Sequence, residues 1–302
     1  MQAKRILVVG YGKLGSRVAQ RLSNKHEVTA IKRSPIEPQD KINMCFADVT
    51  NSGSLKNVLN ESLVGGVDYL IYCLSPSERS EKGYRDAYLI GLKNVLTNLP
   101  NSDALQHIIF VSSTSVYHQA NGEMVDENSL CSPSAFSGKV LLEAEAYISD
   151  LTVASTSIRF SGIYGASRGR LIDQVKQALE TGGVLKTAPG YTNRIHEDDC
   201  VGFICHLVNL LDEGQAIEAY YVASDSCPMS LAEVYRYIAE QLNHIETSYQ
   251  DKNLNVSVSE NSAHSRRAGS KRCVNKRMLD TGYSLSFNSY LEGYKQKTPR
   301  FK

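Results

Sequence analysis

Three glycines, Gly10, Gly12 and Gly15, stand in the stretch LVVGYGKLGSRVAQRL (residues 7–22), directly after an apolar run and before the amphipathic series Val18, Ala19, Leu22. This G-x-G-x-x-G spacing between a strand and a helix aims backbone N–H groups and a helix N-terminus at an anion. Gly10 permits the tight turn, Gly12 lets the backbone approach a diphosphate with no Cβ between, and Gly15 lets the helix pack close to the sheet. Lys13 and Leu14 complete the turn, so the five positions together are candidates for holding a dinucleotide. The second strand then ends in AIKRS. Lys32 and Arg33 stand where an acidic side chain would bind the ribose hydroxyls of NAD, and Ser34 adds a hydroxyl. Basic forks suit a 2′-phosphate, so NADP is expected in preference to NAD.

Other side chains could act on a substrate. Tyr164, in GIYG at the end of a strand, is a candidate proton donor, because ligands of open α/β sheets sit beyond the carboxyl ends of the strands. The alternative is a wall residue packing the cleft, and Tyr117 has the same ambiguity. Arg168, Arg170, Arg194, Lys271 and Arg272 could meet an anionic, diphosphate-bearing substrate or be solvated loop charges. His196, in IHEDD, could be a general base or a structural histidine.

These residues need a frame. Short apolar runs at 5–10, 27–31, 42–47, 67–74, 107–113 and 153–160 alternate with helical patterns at 16–22, 54–60, about 80–98 and about 134–149. Strands apolar on both faces and separated by helices imply a doubly wound α/β domain with a parallel sheet. The expected division is 1–163 for this Rossmann-type dinucleotide-binding domain and 164–302 for a smaller substrate-side lobe partly interleaved with the sheet. The polar stretch 246–266 offers little apolar surface and is expected to be mobile.

Composition narrows the partners. With 33 Lys and Arg against 32 Asp and Glu, a net of +1, there is no general attraction to nucleic acid or membranes. The seven scattered cysteines contain no C-x-x-C, which argues against a disulfide framework or a zinc site and for a reducing, cytoplasmic setting. The chain starts without the apolar core of a signal peptide. The greasy run VGFICHLVNLL at 201–211 is too short to span a bilayer.

The segments IIFVSSTSVY (108–117), SIRFSGIYG (157–165) and NRIHEDDCVGFI (193–204), in that order after the glycine turn, resemble the extended short-chain dehydrogenases of the NAD-dependent epimerase/dehydratase family. By that likeness Asp48, in FADVT, would meet the adenine, and Leu74, Ser75 and Pro76 would line the cofactor cleft. Ser113 would polarise the substrate oxygen. The helices near 80–98 and 134–149 would be the pair through which relatives dimerise, although Tyr84, Tyr88, Leu92, Val95 and Leu99 could equally be core.

The resemblance also has gaps. Family members carry a tyrosine followed four residues later by a lysine, and none of the 17 tyrosines here has one. Where the pair belongs, the segment SPSAFSGKVLLEAEAYI offers either Ser137 with Leu141 or, one register away, Phe136 with Val140. Lys139 is two residues from Ser137 and points elsewhere on a helix. Val9 replaces the first glycine of the extended family's G-x-x-G-x-x-G. Two functions follow. One is an NADP-dependent oxidoreductase or epimerase/dehydratase acting on a small polar substrate such as a sugar nucleotide, with Ser113 polarising the reacting oxygen and Tyr164 or bound water handling the proton. The other is a non-catalytic redox sensor that binds the nucleotide.

Overall fold

A computed structural model describes residues 2–166, 169–245, 247–249, 252–259 and 269–295. Arg168, one of the candidate anion-binding residues, lies outside them. In chain order the first strands are β1 (Arg5–Val9), β2 (Glu27–Lys32), β3 (Ile42–Phe46), β4 (Tyr69–Tyr72), β5 (His107–Ser113), β6 (Asn121–Val125) and β7 (Ala154–Phe160). They are followed by β8 (Gly162–Tyr164), β9 (Val184–Thr187), β10 (Arg194–His196), β11 (Tyr220–Ala223), β12 (Asn255–Val258) and β13 (Ser270–Cys273). The helices are α1 (Gly15–Leu22), α2 (Ser52–Ser62), α3 (Glu81–Arg85), α4 (Gly91–Thr97) and α5 (Phe136–Ser149), then α6 (Arg170–Thr181), α7 (Glu197–Asp212), α8 (Leu231–Ile245), α9 (Lys276–Asp280) and α10 (Tyr290–Tyr294). A π turn, Asp86–Ile90, joins α3 to α4 without a break.

The chain divides into two compact units, each discontinuous in sequence. The first comprises Met1–Val116, Cys131–Arg159 and Cys200–Tyr221; the second comprises Tyr117–Leu130, Phe160–Asp199 and Val222–Lys302.

A seven-stranded sheet in the order β11-β7-β5-β4-β1-β2-β3 forms the first unit's frame up to Arg159 and Tyr221. This is the doubly wound α/β architecture. Strand β1 pairs in parallel with β2 on one side, Leu7 opposite Thr29, and with β4 on the other, Leu7 opposite Leu70. Ile6, Leu7, Val8 and Val9 are almost wholly buried, as are Leu70, Ile71 and Tyr72. That burial on both faces is what a parallel sheet between helical layers demands. Leu92, Val95 and Leu99 belong to this core as well, so three of the five apolar positions weighed for a dimer surface are spent inside.

In the second unit α6, α8 and α10 enclose a core of Val175, Leu179, Leu231, Val234, Ile238 and Leu242 together with Tyr164, Tyr235, Tyr290 and Tyr294. Three two-stranded sheets pair β8 with β10, β9 with β12 and β6 with β13. The β12 pairing, Asn255 opposite Val184 through Val258 opposite Thr187, gives part of the polar 246–266 stretch a strand. Backbone hydrogen bonding supplies the order there that its side chains do not advertise. Among the described residues no helix is long and apolar enough to cross a membrane. Among the described residues no cysteine is joined in a disulfide.

Candidate functional site

The strand order runs outward from β1 in opposite directions, β2-β3 to one side and β4-β5 to the other. Such a reversal opens a crevice beyond the carboxyl ends of the two strands at which it occurs. Here those strands are β1 and β4, and the residues following them are the glycine turn and Leu74–Pro76.

The three glycines differ in what the fold asks of them. Gly10 has φ +103°, and a Cβ there would come within 2.8 Å of the Leu74 backbone. At Gly15 a Cβ would collide with the Gly10 carbonyl oxygen and lie 2.7 Å from Cys73 Sγ. Both are therefore glycine because the turn packs against the end of β4. Gly12 is exposed, and a Cβ there would meet nothing within 4 Å. The protein itself gives no reason for a glycine at this position.

Helix α1 starts without a side-chain hydrogen bond at its N-cap Leu14 and with no acidic residue in its first turn. The amides at the start of a helix lack intrahelical acceptors and carry the positive end of its dipole. Open space over Gly12 beside such an N-terminus fits a diphosphate. Lys13 is exposed and Leu14 is buried beneath the turn.

At the end of β2 the basic pair splits. Lys32 is half-buried and its Nζ donates to the Tyr11 carbonyl at 3.4 Å, while Arg33 and Ser34 are exposed. Asp48 Oδ1 accepts from the Thr50 amide at 2.9 Å and the Thr50 hydroxyl at 2.7 Å. Those two bonds, with a smaller attraction from Arg33, hold its carboxyl below the ordinary range. Beyond β4, Leu74 and Pro76 are half-buried and Ser75 is exposed.

Ser113 closes β5, is half-buried, and its Oγ accepts from the Ser115 amide at 3.2 Å. The next helix over the sheet, α5, begins at Phe136, so both registers considered for a tyrosine–lysine pair fall on it. Phe136 is exposed and Ser137 half-buried, Val140 and Leu141 are buried, and Lys139 is exposed. In either register the second position is a buried aliphatic side chain.

Tyr164 lies in the second unit. It is 4% exposed, stacks on Tyr294 with centroids 4.6 Å apart, and donates to the Ser289 carbonyl at 3.3 Å. Burial drives its pKa well up. These contacts pack the ring into the second unit's core and engage its hydroxyl.

In the same unit, His196 packs on Phe287 at 3.8 Å, and its Nδ1 accepts from the Asp198 amide at 3.2 Å. Asp199 is buried and receives the Ser286 and Phe287 amides and the Tyr283 hydroxyl. Its carboxyl is pushed up by burial against those donors. Arg194 is buried and Arg170 exposed. Lys271 is buried with its Nζ on the Tyr117 carbonyl at 3.4 Å, and burial lowers its pKa. Arg272 bonds the Gly122 carbonyl at 2.9 Å, while Tyr117 itself is buried. The part played by Cys73 behind Gly10 and Gly15 escapes sequence reasoning, because a cysteine after an apolar strand carries no positional signal.

A model of the NAD dependent epimerase/dehydratase family matches residues 6–223. The chain belongs to this family, and a nicotinamide dinucleotide is the cofactor its name specifies. An inferred NAD-dependent epimerase/dehydratase from Methylobacillus flagellatus has a solved structure similar to this chain at 33% identity, with 97% of each chain covered and a TM-score of 0.76. The Bordetella bronchiseptica enzyme WbmG, in complex with NAD and UDP, is 15% identical over 98% of this chain and 94% of that one, with a TM-score of 0.77. A UDP-N-acetylglucosamine 4-epimerase from Bacillus cereus is 16% identical over 97% of each chain, at a TM-score of 0.70. No curated protein matches the sequence.

Proposed function

We propose that this chain binds NADP(H) at the glycine turn and acts as an oxidoreductase or epimerase on a small polar substrate, a sugar nucleotide. The observation that carries the binding half is Gly12, a glycine beside open space in a turn whose other two glycines are required by packing. Bound there, the dinucleotide supplies hydride transfer at a carbon bearing a hydroxyl or carbonyl oxygen. Gly10, Gly12, Lys13, Leu14 and Gly15 hold its diphosphate, Asp48 meets the adenine, and Leu74, Ser75 and Pro76 line the cleft.

Arg33 and Ser34 receive the 2′-phosphate. Arg33 is the exposed member of the basic pair, whereas Lys32 braces the turn through the Tyr11 carbonyl. Ser113 donates a hydrogen bond to the substrate oxygen. The UDP complex of WbmG and the sugar-nucleotide epimerase among the structural neighbours support the substrate class.

Calorimetric titration with NADPH and NADH tests this directly. NADPH is expected to bind more tightly, and Arg33→Ala to weaken NADPH alone by about 10- to 100-fold, the value of a charge-assisted hydrogen bond. Equal affinity for both coenzymes, unchanged in the variant, would overturn the assignment of Arg33. A second reading, a dinucleotide sensor without turnover, is favoured by the burial of Val140 and Leu141 where a lysine would stand. Turnover of any sugar nucleotide or carbonyl compound eliminates it.

A further inference from the structure

Hydride transfer to a carbonyl carbon leaves an alkoxide, and the oxygen must receive a proton. The start of α5 offers little for that purpose. Phe136 has no hydroxyl, Val140 and Leu141 are buried aliphatics, and the Ser137 hydroxyl is a far weaker acid than a phenol.

The continuous helix from Glu81 to Thr97 brings two phenols to this place. Tyr84 meets Phe136 edge-on, with centroids 5.4 Å apart and planes at 85°. Tyr88 lies 5.5 Å from Tyr84 and edge-on to Phe110 at 6.2 Å and 82°. Phe110 stands three residues before Ser113 in β5. Tyr84 and Tyr88 are half-buried, and among the described residues neither hydroxyl has a hydrogen-bond partner.

Tyr88 is also the central residue of the π turn Asp86–Ile90. Turns of this kind are rare and gather at functional sites. The first unit dedicates a wholly buried side chain to this one: the Tyr72 hydroxyl, from β4, donates to the Ala87 carbonyl. The ring wedged on Phe110 and the locally rewound helix held by Tyr72 fix the place of a hydroxyl that is left without a partner.

We propose that Tyr88 is the proton donor to the substrate oxygen, taking over from a tyrosine on α5, and that the chain consequently works as a carbonyl reductase. The proposal rests on the dinucleotide-dependent reading above. In the step, the carbonyl carbon takes up a hydride from the reduced nicotinamide and the carbonyl π pair moves to oxygen. The Tyr88 O–H bond breaks as its proton passes to that oxygen, and water reprotonates the tyrosinate. Burial, reinforced by Tyr84 and Cys73, raises the Tyr88 pKa. The group therefore stays protonated at neutral pH until an alkoxide, a much stronger base, forms beside it.

The test uses full-length protein labelled with 13Cζ-tyrosine, with Tyr88→Phe and Tyr84→Phe assigning the resonances. Addition of NADPH and UDP is expected to shift the Tyr88 signal and leave that of the buried Tyr72 in place. In turnover of sugar-nucleotide ketones and simple carbonyl compounds, Tyr88→Phe is expected to lower kcat by about 100-fold or more, with NADPH affinity and Tm unchanged. Tyr84→Phe should stay near wild type. A Tyr88 resonance indifferent to NADPH and UDP, or full kcat in Tyr88→Phe, overturns the proposal even where turnover and binding are present. Absence of any NADPH binding overturns the function proposed above and this inference with it.

Discussion

At the scale of the residue, the glycine turn separates two demands that are usually confounded. Gly15 answers to packing, since its missing Cβ is what lets α1 lie against the Gly10 carbonyl and Cys73. Gly12 answers to nothing inside the chain. Gly15→Ala is therefore expected to destabilise by about 1–3 kcal/mol or more through overpacking, visible as a lower Tm. Gly12→Ala should change stability by no more than about 0.5 kcal/mol, as open surface positions do, while removing the calorimetric signal of NADPH. Were Gly12→Ala to bind NADPH at wild-type affinity, the diphosphate would have to sit elsewhere. Ser113 and Tyr164 differ in a similar way. The Ser113 Oγ accepts one amide and keeps its own proton available, whereas the Tyr164 hydroxyl donates to a carbonyl inside a tyrosine-rich core.

Helix α5 shows what holds an element where chemistry is expected of it. Glu145 is buried and takes Arg159 Nη2 at 2.7 Å, the Arg159 Nε at 3.2 Å, and the Ser112 hydroxyl. The Arg159 guanidinium also lies over the Tyr220 ring at 4.5 Å. The carboxylate thus ties the helix to β5 and β7, and the guanidinium extends the cluster to β11. Glu145→Ala strips a buried guanidinium of its counter-charge and is expected to cost about 3–5 kcal/mol, whereas the double replacement Glu145→Leu with Arg159→Met should recover most of that. Urea unfolding of the three variants checks this, and a double variant no better than the single one would show that the cluster contributes more than charge compensation.

Elements of this kind were largely legible in sequence. The apolar runs at 5–10, 27–31, 42–47 and 107–113 are β1, β2, β3 and β5, and the helical pattern near 134–149 is α5. Each buries one or both faces, and burial is what writes a period into the residues. The π turn left no such mark, because its extra residue changes the phase of the helix and not its composition. The pairings of β6 with β13 and β9 with β12 were hidden as well. Asn121, Glu123 and Met124 are all exposed or nearly so, so these strands are held by backbone bonds to partners far along the chain and show no alternation. The separate tasks of Lys32 and Arg33 were equally unreadable, since only the three-dimensional turn brings the Tyr11 carbonyl to one of them.

For the whole molecule, the two units carry buried titrating groups of opposite sense. In the first, His107 is 6% exposed, with its Nε2 2.9 Å from the Thr156 hydroxyl, which itself donates to the Glu218 carbonyl at 2.8 Å. The ring nitrogen must then be the donor to Thr156, and burial lowers the pKa to about 4. In the second unit, Asp225 is 1% exposed, with one carboxylate oxygen on the Cys227 amide at 3.1 Å and the other buried without a hydrogen bond. Burial raises its pKa to about 7, against the Cys227 amide and Arg194 and with help from Asp199.

Between pH 4 and 6.5 the unfolded chain binds a proton at His107 that the folded chain refuses. That stability is complete above about 6.5 and is lost as pH falls, by on the order of 3 kcal/mol. For Asp225 the folded state holds the proton longer than the unfolded one. Stability is complete below about 4 and is lost as pH rises towards 7, by on the order of 4 kcal/mol. Removing each group should therefore tilt the stability curve in opposite directions. Relative to wild type, His107→Gln, which can still donate to Thr156, gains stability as pH is lowered from 7 to 4. Asp225→Asn gains as pH is raised over the same interval. Thermal unfolding of the three proteins at half-unit steps of pH measures both differences, and variant curves running parallel to wild type would show that neither group titrates as its surroundings dictate.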